Sequence, residues 1–323
     1  MEGGVGESVR RASRHASDRW LVAWALGYAA IGAASLLIPL YSLSLGGGPF
    51  VTGALDATAG LAGVPGALLW GYLADRTGRR RGFVLLSLAG SGLVLSIVPF
   101  VRTLWLLLAI NTLLWFLVSA ATPVVTLFMI EQAAERDWES RIGALNAFQR
   151  YGWVGGLVVG TAWLAVGTRS ITQIGAQRWL FVLCALAALA ATPLAFYWLP
   201  PEATTSARRL GRSPGSMARL VTGSGRYLRL IPFAPARAMV ALRSVGDGTF
   251  FSRHSEPLRR YFFAAFLFSA GAAMFFGPAP AFLTALEYFG AAIFGFFILA
   301  TLASAILFVP VGSLTRDHQI GRA

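Results

Sequence analysis

A few ionisable and polar side chains interrupt long apolar segments of this sequence, and they are the first candidates for chemistry. Asp56 lies near the start of one such segment. If this segment crosses a membrane, an acid within it is by default a candidate for function and could carry a proton. A helix-start position near water would fit Asp56 equally. Gln149 and Arg150 lie well inside another segment, where Arg150 could meet an anionic substrate or extend to the membrane surface.

No other arrangement of residues in the sequence points to catalysis, a metal or a cofactor. The single cysteine, Cys184, lies in an apolar segment and is typical of a small packing residue. The three histidines fall in polar connectors, and no cluster of histidine, cysteine and carboxylate has metal-ligand spacing. Phosphate-binding and nucleophile motifs are also absent from the sequence. The sequence therefore predicts neither an enzyme nor a bound cofactor.

The elements that must position these residues are membrane-spanning helices. Of the 323 residues, 56% are hydrophobic and 13% are charged, whereas soluble domains carry about 25% charged residues. Helices are expected because lipid offers no hydrogen-bond partner to an open backbone. The predicted fold is an all-α, polytopic transmembrane helix bundle. Eight stretches are long enough to cross a bilayer, and they are 20–45, 51–73, 83–101, 104–131, 141–167, 178–199, 261–286 and 290–312.

The arginines predict how these spans are oriented. The net charge of +13 involves no lysine, and 24 of the 27 arginines fall in one set of connectors. The other set holds only Arg102, Arg169 and Arg178. By the positive-inside rule, this distribution places the N-terminus, the C-terminus and the arginine-rich connectors in the cytoplasm. We therefore expect the basic charge to face the lipid bilayer and not a nucleic acid.

One polar connector divides the chain. Residues 200–260 are rich in Pro, Gly, Ser and Arg and separate six spans from two. Parts of this segment mix arginine with apolar residues and could lie on the inner membrane surface, although a solvated flexible linker fits equally well. The predicted domains are a six-helix bundle (1–199), a basic cytoplasmic linker (200–260) and a partial C-terminal bundle of two helices (261–323).

The densest arginine cluster follows the second span and occurs twice. It reads Gly71-Tyr-Leu-Ala-Asp-Arg-Thr-Gly-Arg-Arg-Arg81, and a weaker copy, Gly312-Ser-Leu-Thr-Arg-Asp-His-Gln-Ile-Gly-Arg322, follows the eighth span. Gly78 permits a tight turn because it has no Cβ. A loop that recurs after a pair of spans predicts a transporter built from repeated halves.

This loop resembles the signature that lies between the second and third helices of the major facilitator superfamily. The resemblance covers essentially the whole chain, with six spans, a long basic loop and a second copy of the signature. It implies a six-helix N-terminal half plus the first two helices of the C-terminal half. It also implies a monomeric secondary transporter in the plasma membrane, which moves a small solute by alternating access, with proton coupling left open.

The resemblance assigns the signature to a conformational latch. Asp75 would cap the N-terminus of a helix in the second half, whose dipole favours a nearby anion. Arg79 would pair with a carboxylate at the end of the fourth span, either Glu131 or Glu135. The latch residues are thus Gly71, Asp75, Arg76, Gly78, Arg79 and Arg80, and those of the second copy are Gly312, Asp317, Gly321 and Arg322.

The family's central cavity is lined mainly by the first, fourth, seventh and tenth helices. Polar side chains in these spans are expected to face the interior, although each could equally bond to a neighbouring helix. In the seventh span, Pro278 and Pro280 are expected to break the helix. In these spans the candidates for substrate or coupling-ion contact are Tyr28, Asn111 and Trp115, with Ser35, Tyr41, Thr122, Met274 and Phe275 as further polar or cavity-side positions. Asp56 of the second span and Gln149 and Arg150 of the fifth are candidates because they are polar or ionisable groups within a span.

The sequence departs from the family pattern in several ways. The fourth span has no internal arginine, which many proton-coupled members carry. The fifth span lacks the Gly-Pro pair of antiporters but has closely spaced glycines, which predict close helix packing or sliding. The chain ends at Ala323, four helices short of the family pattern. We therefore expect an incomplete product; the alternative is a truncated, non-transporting membrane protein, either a remnant or a sensor.

Overall fold

The computed structural model describes residues 19–131, 138–199 and 256–317, and the regular structure in these ranges is helical. A short 3-10 turn, Val98–Phe100, follows the third helix. The α-helices are α1 (Trp20–Ser44), α2 (Pro49–Thr77), α3 (Arg80–Ile97), α4 (Leu104–Val118), α5 (Thr122–Glu131), α6 (Trp138–Ser170), α7 (Gln173–Trp198), α8 (Glu256–Phe276), α9 (Ala279–Ala285) and α10 (Gly290–Asp317).

These helices confirm the predicted all-α transmembrane bundle. Six segments of the described chain are long and apolar enough to cross a membrane, and each coincides with a predicted span. The predicted fifth span corresponds to α6, which has 33 residues but a lower hydropathy, because it contains several glycines and charged residues. The eighth corresponds to α10, whose apolar part among the described side chains is Gly290–Ala303.

The predicted fourth span is confirmed as a candidate span, Leu104–Met129, but it is made of two helices. α4 ends at Val118 and α5 begins at Thr122. Pro123 lacks the backbone N–H that would continue the helix and restricts the residue before it. The hydroxyl of Ser119 donates to the carbonyl of Phe116 at 2.7 Å. Trp70 of α2 donates its indole N–H to the same carbonyl at 2.9 Å, which stabilises the break.

The seventh span is broken as predicted, at Gly277 and Pro278, where α8 ends and α9 begins. Its start differs from the prediction, since α8 begins at Glu256 and not at residue 261. Glu256 lies in the first turn, where the helix dipole favours an acid. Its carboxylate also pairs with Arg260 one turn later. Hydropathy assigns such a polar first turn to the preceding connector, so the predicted start of the helix was too late.

α1 is the central helix of the bundle. It packs along α6 and α7, while α3 packs on α7 and α2 packs on α4. Two glycines of α6, Gly152 and Gly156, lie directly against the backbone of α1 at Ala25 and Ala29. Gly32 of α1 reciprocates, since a Cβ there would lie 2.6 Å from the carbonyl oxygen of Trp153. Small residues therefore allow these two helices to approach closely, as the glycine spacing predicted.

Three connectors meet at one end of the bundle, which we call the short-turn end: 45–48, 101–103 and 171–172. The buried hydroxyl of Tyr41 donates to the carbonyl of Val101 at 2.7 Å and accepts a hydrogen bond from Arg178 Nε at 3.2 Å. Tyr41, a candidate for the cavity, therefore ties α1 to α7 instead. The connector 286–289 lies at the same end, where α9 packs on α1 and α2.

The last three helices contact the first six unevenly. α10 packs on α6, where the buried ring of Phe294 fills the space beside Gly160. By contrast, none of the α8 side chains that the structure describes is buried. The described contacts between α8–α10 and the rest of the bundle are therefore concentrated towards the short-turn end.

Candidate functional site

A cavity of about 230 Å³ lies where the first helices meet the break between α8 and α9. Its wall comes from both sides of the predicted domain boundary, with four helices from the N-terminal bundle. The lining residues are Ser35, Leu36 and Pro39 of α1, Thr52, Leu55, Asp56 and Ala59 of α2, Asn111 and Trp115 of α4, Trp153 and Leu157 of α6, and Phe276, Gly277, Pro280 and Phe297 of α8 to α10.

Asp56 is the one charged residue in this wall. It lies seven residues after Pro49, or about 10 Å along the helix at 1.5 Å per residue. Asp56 is exposed. Its carboxylate lies against the break between α8 and α9, since a Cβ added at Gly277 would be 3.3 Å from Asp56 Oδ2. No described residue gives this carboxylate an ion pair or a hydrogen bond. The charge is therefore available to a ligand.

Asn111 is held in the wall by a buried hydrogen bond between helices. Its side chain is 3% exposed, and its Nδ2 donates to the carbonyl of Leu55 at 2.8 Å. Thr58 donates its hydroxyl to the same carbonyl at 3.1 Å. A polar group within a membrane bundle is stable when it is paired in this way. The bond fixes α4 against the segment of α2 that carries Asp56.

The hydroxyl groups in the wall use their hydrogens within their own helices. Ser35 donates to the carbonyl of Gly32 at 2.8 Å, and Thr52 donates to the carbonyl of Pro49 at 2.9 Å. A hydroxyl has one hydrogen to donate and two lone pairs that accept. What these two side chains can still offer to a ligand is therefore a lone pair.

Aromatic rings form most of the remaining wall. Trp115 and Trp153 come from α4 and α6, and Phe276 and Phe297 come from α8 and α10. The two phenylalanine rings pack at a tilt, with their centroids 5.9 Å apart. This contact links the end of α8 to α10 on the side of the cavity opposite the N-terminal bundle.

The structure brings together three of the six candidates for substrate or coupling-ion contact: Asp56, Asn111 and Trp115. Tyr28 lies elsewhere, buried against Trp24 in a second group of packed apolar side chains, with ring centroids 4.7 Å apart. Gln149 is half-buried and Arg150 is exposed, and neither lines the cavity.

Trp153 and Phe297 were missed by the sequence reasoning. Each lies in a span that is apolar on most sides, so periodicity does not mark an inner face. A signal for Trp153 existed in its neighbour Gly152, because a glycine ladder marks the packed face of a helix.

The architecture can now be compared with known families. The family model for the Major Facilitator Superfamily matches residues 20–323. The chain belongs to the Major Facilitator Superfamily. No curated protein matches it.

Among solved structures, this superfamily member is similar to a bacterial homologue of the human lysosomal transporter Spinster, in an inward-facing and occupied conformation. The two chains are 14% identical, with a TM-score of 0.48. The similarity covers 62% of this chain and 48% of the other, so the chain spans about half the length of that transporter.

The loop that resembles the superfamily's signature forms the end of α2 and the turn into α3. Gly78 ends α2 with φ of 66° and ψ of 1°, and its N–H donates to the carbonyl of Ala74 at 2.9 Å. This left-handed conformation is favourable for glycine and costs other residues about 1–2 kcal/mol. Arg76 donates to the hydroxyl of Tyr72 at 2.9 Å. The tight turn predicted from the sequence is therefore confirmed.

The latch contacts themselves stay predictions. Arg79 is exposed and Arg80 is half-buried. The side chains of Asp75 and Glu131, and the whole of Glu135, lie outside the described part of the structure. In the second copy, the backbone of Gly312 and Asp317 belongs to α10, but their side-chain environment, Gly321 and Arg322 lie outside the described residues.

Arg81, next to the predicted latch, holds the end of α7. Its guanidinium donates to the carbonyl of Phe196 and lies 4.6 Å from the centre of that ring. Phe196 is in the last turn of α7, where the helix dipole favours a cation. Sequence reasoning assigned no such role to Arg81.

We expect Arg81→Ala to lower the free energy of unfolding by about 1–2 kcal/mol, because it removes both the hydrogen bond and the cation–π contact. Thermal unfolding of the purified chain in detergent would measure this as a lower Tm. Arg102→Ala is the matched control, since its side chain is exposed in the 101–103 connector, which predicts a change within about 0.5 kcal/mol. Equal effects of the two substitutions would contradict the role of Arg81.

Proposed function

We propose that this chain acts as a secondary active transporter, which moves a small solute across the membrane by alternating access and binds it in the cavity around Asp56. The observation that carries the proposal is the position of the cavity. Its wall is divided between the N-terminal bundle and the α8–α10 segment. A site between two units that move against each other is exposed to alternate sides of the membrane.

The uneven packing of α8–α10 supports this mechanism. α9 lies on α1 and α2, and α10 lies on α6, whereas the described side chains of α8 are open. Such an arrangement is expected of a state that is closed at the short-turn end. Rocking of one unit against the other would open this end and close the opposite one, where the predicted latch of Asp75 and Arg79 lies.

The orientation of the protein follows from the arginines. The arginine-rich loop lies at the end opposite the short turns and contains Arg76, Arg79, Arg80 and Arg81. The positive-inside rule assigns this loop to the cytoplasmic side of the cell membrane. The cavity would then lie in the outer half of the bilayer. Asp56, the acid in its wall, is also the candidate for a coupling proton.

We expect Asp56→Asn to reduce solute flux at least tenfold, because it removes the only charge in the described cavity wall. The measurement is uptake into proteoliposomes that contain the full chain, over a panel of labelled amines, sugars and carboxylates, with and without an imposed pH gradient. Glu287→Gln is the control, because it removes an acid from the exposed 286–289 connector.

Three results would decide between the alternatives. Flux that depends on Asp56 supports the transporter. Solute binding without flux, in a chain that is folded by circular dichroism, favours the non-transporting alternative. Flux that is unchanged in Asp56→Asn would show that the solute site lies elsewhere.

A further inference from the structure

The charge in the cavity around Asp56 is not balanced by the protein. The other wall residues come from the rest of α2, from α1, α4, α6, α8, α9 and α10, and from Gly277 between α8 and α9, and none of them is charged. No described residue pairs with the carboxylate, which nevertheless lies within a predominantly apolar bundle. A charge in such surroundings is stabilised when a partner of opposite sign is bound beside it. The carboxylate therefore favours a cation.

The hydrogen-bonding groups beside Asp56 favour a ligand that donates. Ser35 and Thr52 give their hydroxyl hydrogens to Gly32 and Pro49. Asn111 uses its amide nitrogen on the carbonyl of Leu55, which leaves its amide oxygen to accept. The oxygen-bearing side chains of the wall thus offer lone pairs, and an ammonium group has several hydrogens to donate to them.

The rest of the wall favours an organic cation over an inorganic one. Trp115, Trp153, Phe276 and Phe297 all line the cavity, and the faces of aromatic rings attract ammonium groups within about 6 Å. A bare metal cation would need a shell of about six oxygen ligands, which this mostly aromatic and aliphatic wall does not provide. The volume of about 230 Å³ is below the ~300–1,000 Å³ of pockets that hold drug-sized ligands. The fit is therefore to a small ligand.

We propose that the cavity binds a small organic amine in its protonated form, with the ammonium group at the carboxylate of Asp56 and the apolar part of the ligand against the tryptophan and phenylalanine rings. This inference rests on the proposed function, because it names the substrate class of the same site.

The test is calorimetric binding to the purified full chain in lipid nanodiscs at pH 7. The probes are phenethylamine, the neutral analogue 2-phenylethanol, the anionic analogue phenylacetate and sodium chloride alone. We expect phenethylamine to bind at least tenfold more tightly than either analogue, and sodium to give no saturable heat. Asp56→Asn should reduce this preference to near one, whereas Glu287→Gln should keep it.

Equal affinity for the amine and the alcohol would overturn the inference, as would saturable sodium binding that depends on Asp56 without amine binding. If Asp56→Asn fails to fold, the wild-type ligand series still decides. Flux assays with the same amine separate this inference from the proposed function. Amine binding without flux contradicts transport but supports the amine site. Flux of a non-amine without amine binding supports transport but contradicts the amine site.

Discussion

Gly156→Ala is expected to destabilise the folded chain by about 3 kcal/mol, the upper end of the cost of overpacking. The added methyl group would collide with the backbone carbonyl of Ala29, and a backbone cannot move aside as a flexible side chain can. The collision lies in the contact between α1 and α6, which is the most extensive helix pairing in the described bundle. Chemical or thermal unfolding in detergent would measure the loss.

The adjacent Gly155 provides a control with the opposite sign. A Cβ at Gly155 would meet nothing within 4 Å in the described structure. Alanine is more favourable than glycine inside a helix by about 0.5–1 kcal/mol, so Gly155→Ala should be neutral or slightly stabilising. Similar losses at the two positions would show that α6 does not present Gly156 to α1.

Under the proposed transport mechanism, Gly277→Val is expected to lower the rate of transport at least tenfold by preventing closure at the short-turn end. A Cβ at this position would lie 2.9 Å from the carbonyl oxygen of Ala273 and 3.3 Å from Asp56 Oδ2. The larger side chain would therefore push the break between α8 and α9 away from α2. Flux in proteoliposomes measures the loss of turnover.

A labelling experiment tests whether failed closure is the cause. Thr52 is 1% exposed, so Thr52→Cys in a Cys184→Ala background should react slowly with a membrane-impermeant maleimide. Gly277→Val should speed this reaction severalfold. Gly271→Val is the control, because a Cβ at Gly271 of α8 meets nothing within 4 Å among the described residues. Slow labelling in both variants would contradict the role of Gly277 in closure.

Much of the fold follows from the length and composition of the apolar segments. Lipid requires each span to satisfy its own backbone, so hydropathy alone locates the helices well. The break at Gly277 was predictable from Pro278 and Pro280. The break between α4 and α5 was not, because Pro123 lies in a strongly apolar segment and one hydrogen bond that stabilises the break comes from Trp70, which is distant in sequence.

The site was less predictable than the fold. Asp56 and Asn111 were found because a polar group in lipid is costly and therefore conspicuous. Trp153 was missed because an aromatic residue in an apolar helix is inconspicuous, and the face that it presents depends on packing against α1. Tyr41, like Asn111, is a polar group within an apolar span. It nevertheless lies outside the cavity wall, where it forms hydrogen bonds with Val101 and Arg178. Which polar groups face a cavity is decided by tertiary contacts that spacing within one helix does not encode.

The packing of Phe294 against Gly160 determines which movements of α10 the proposed mechanism can use. Phe294 is fully buried, so in the proposed transport cycle a rotation of α10 about this point would disturb the packing less than a shift of the helix along α6. The helix extends a further 23 residues to Asp317, an arm of about 35 Å at 1.5 Å per residue. A rotation of about 10° would then displace the end of α10 at Asp317 by about 6 Å, roughly one helical turn, while the Phe294 ring would stay beside Gly160.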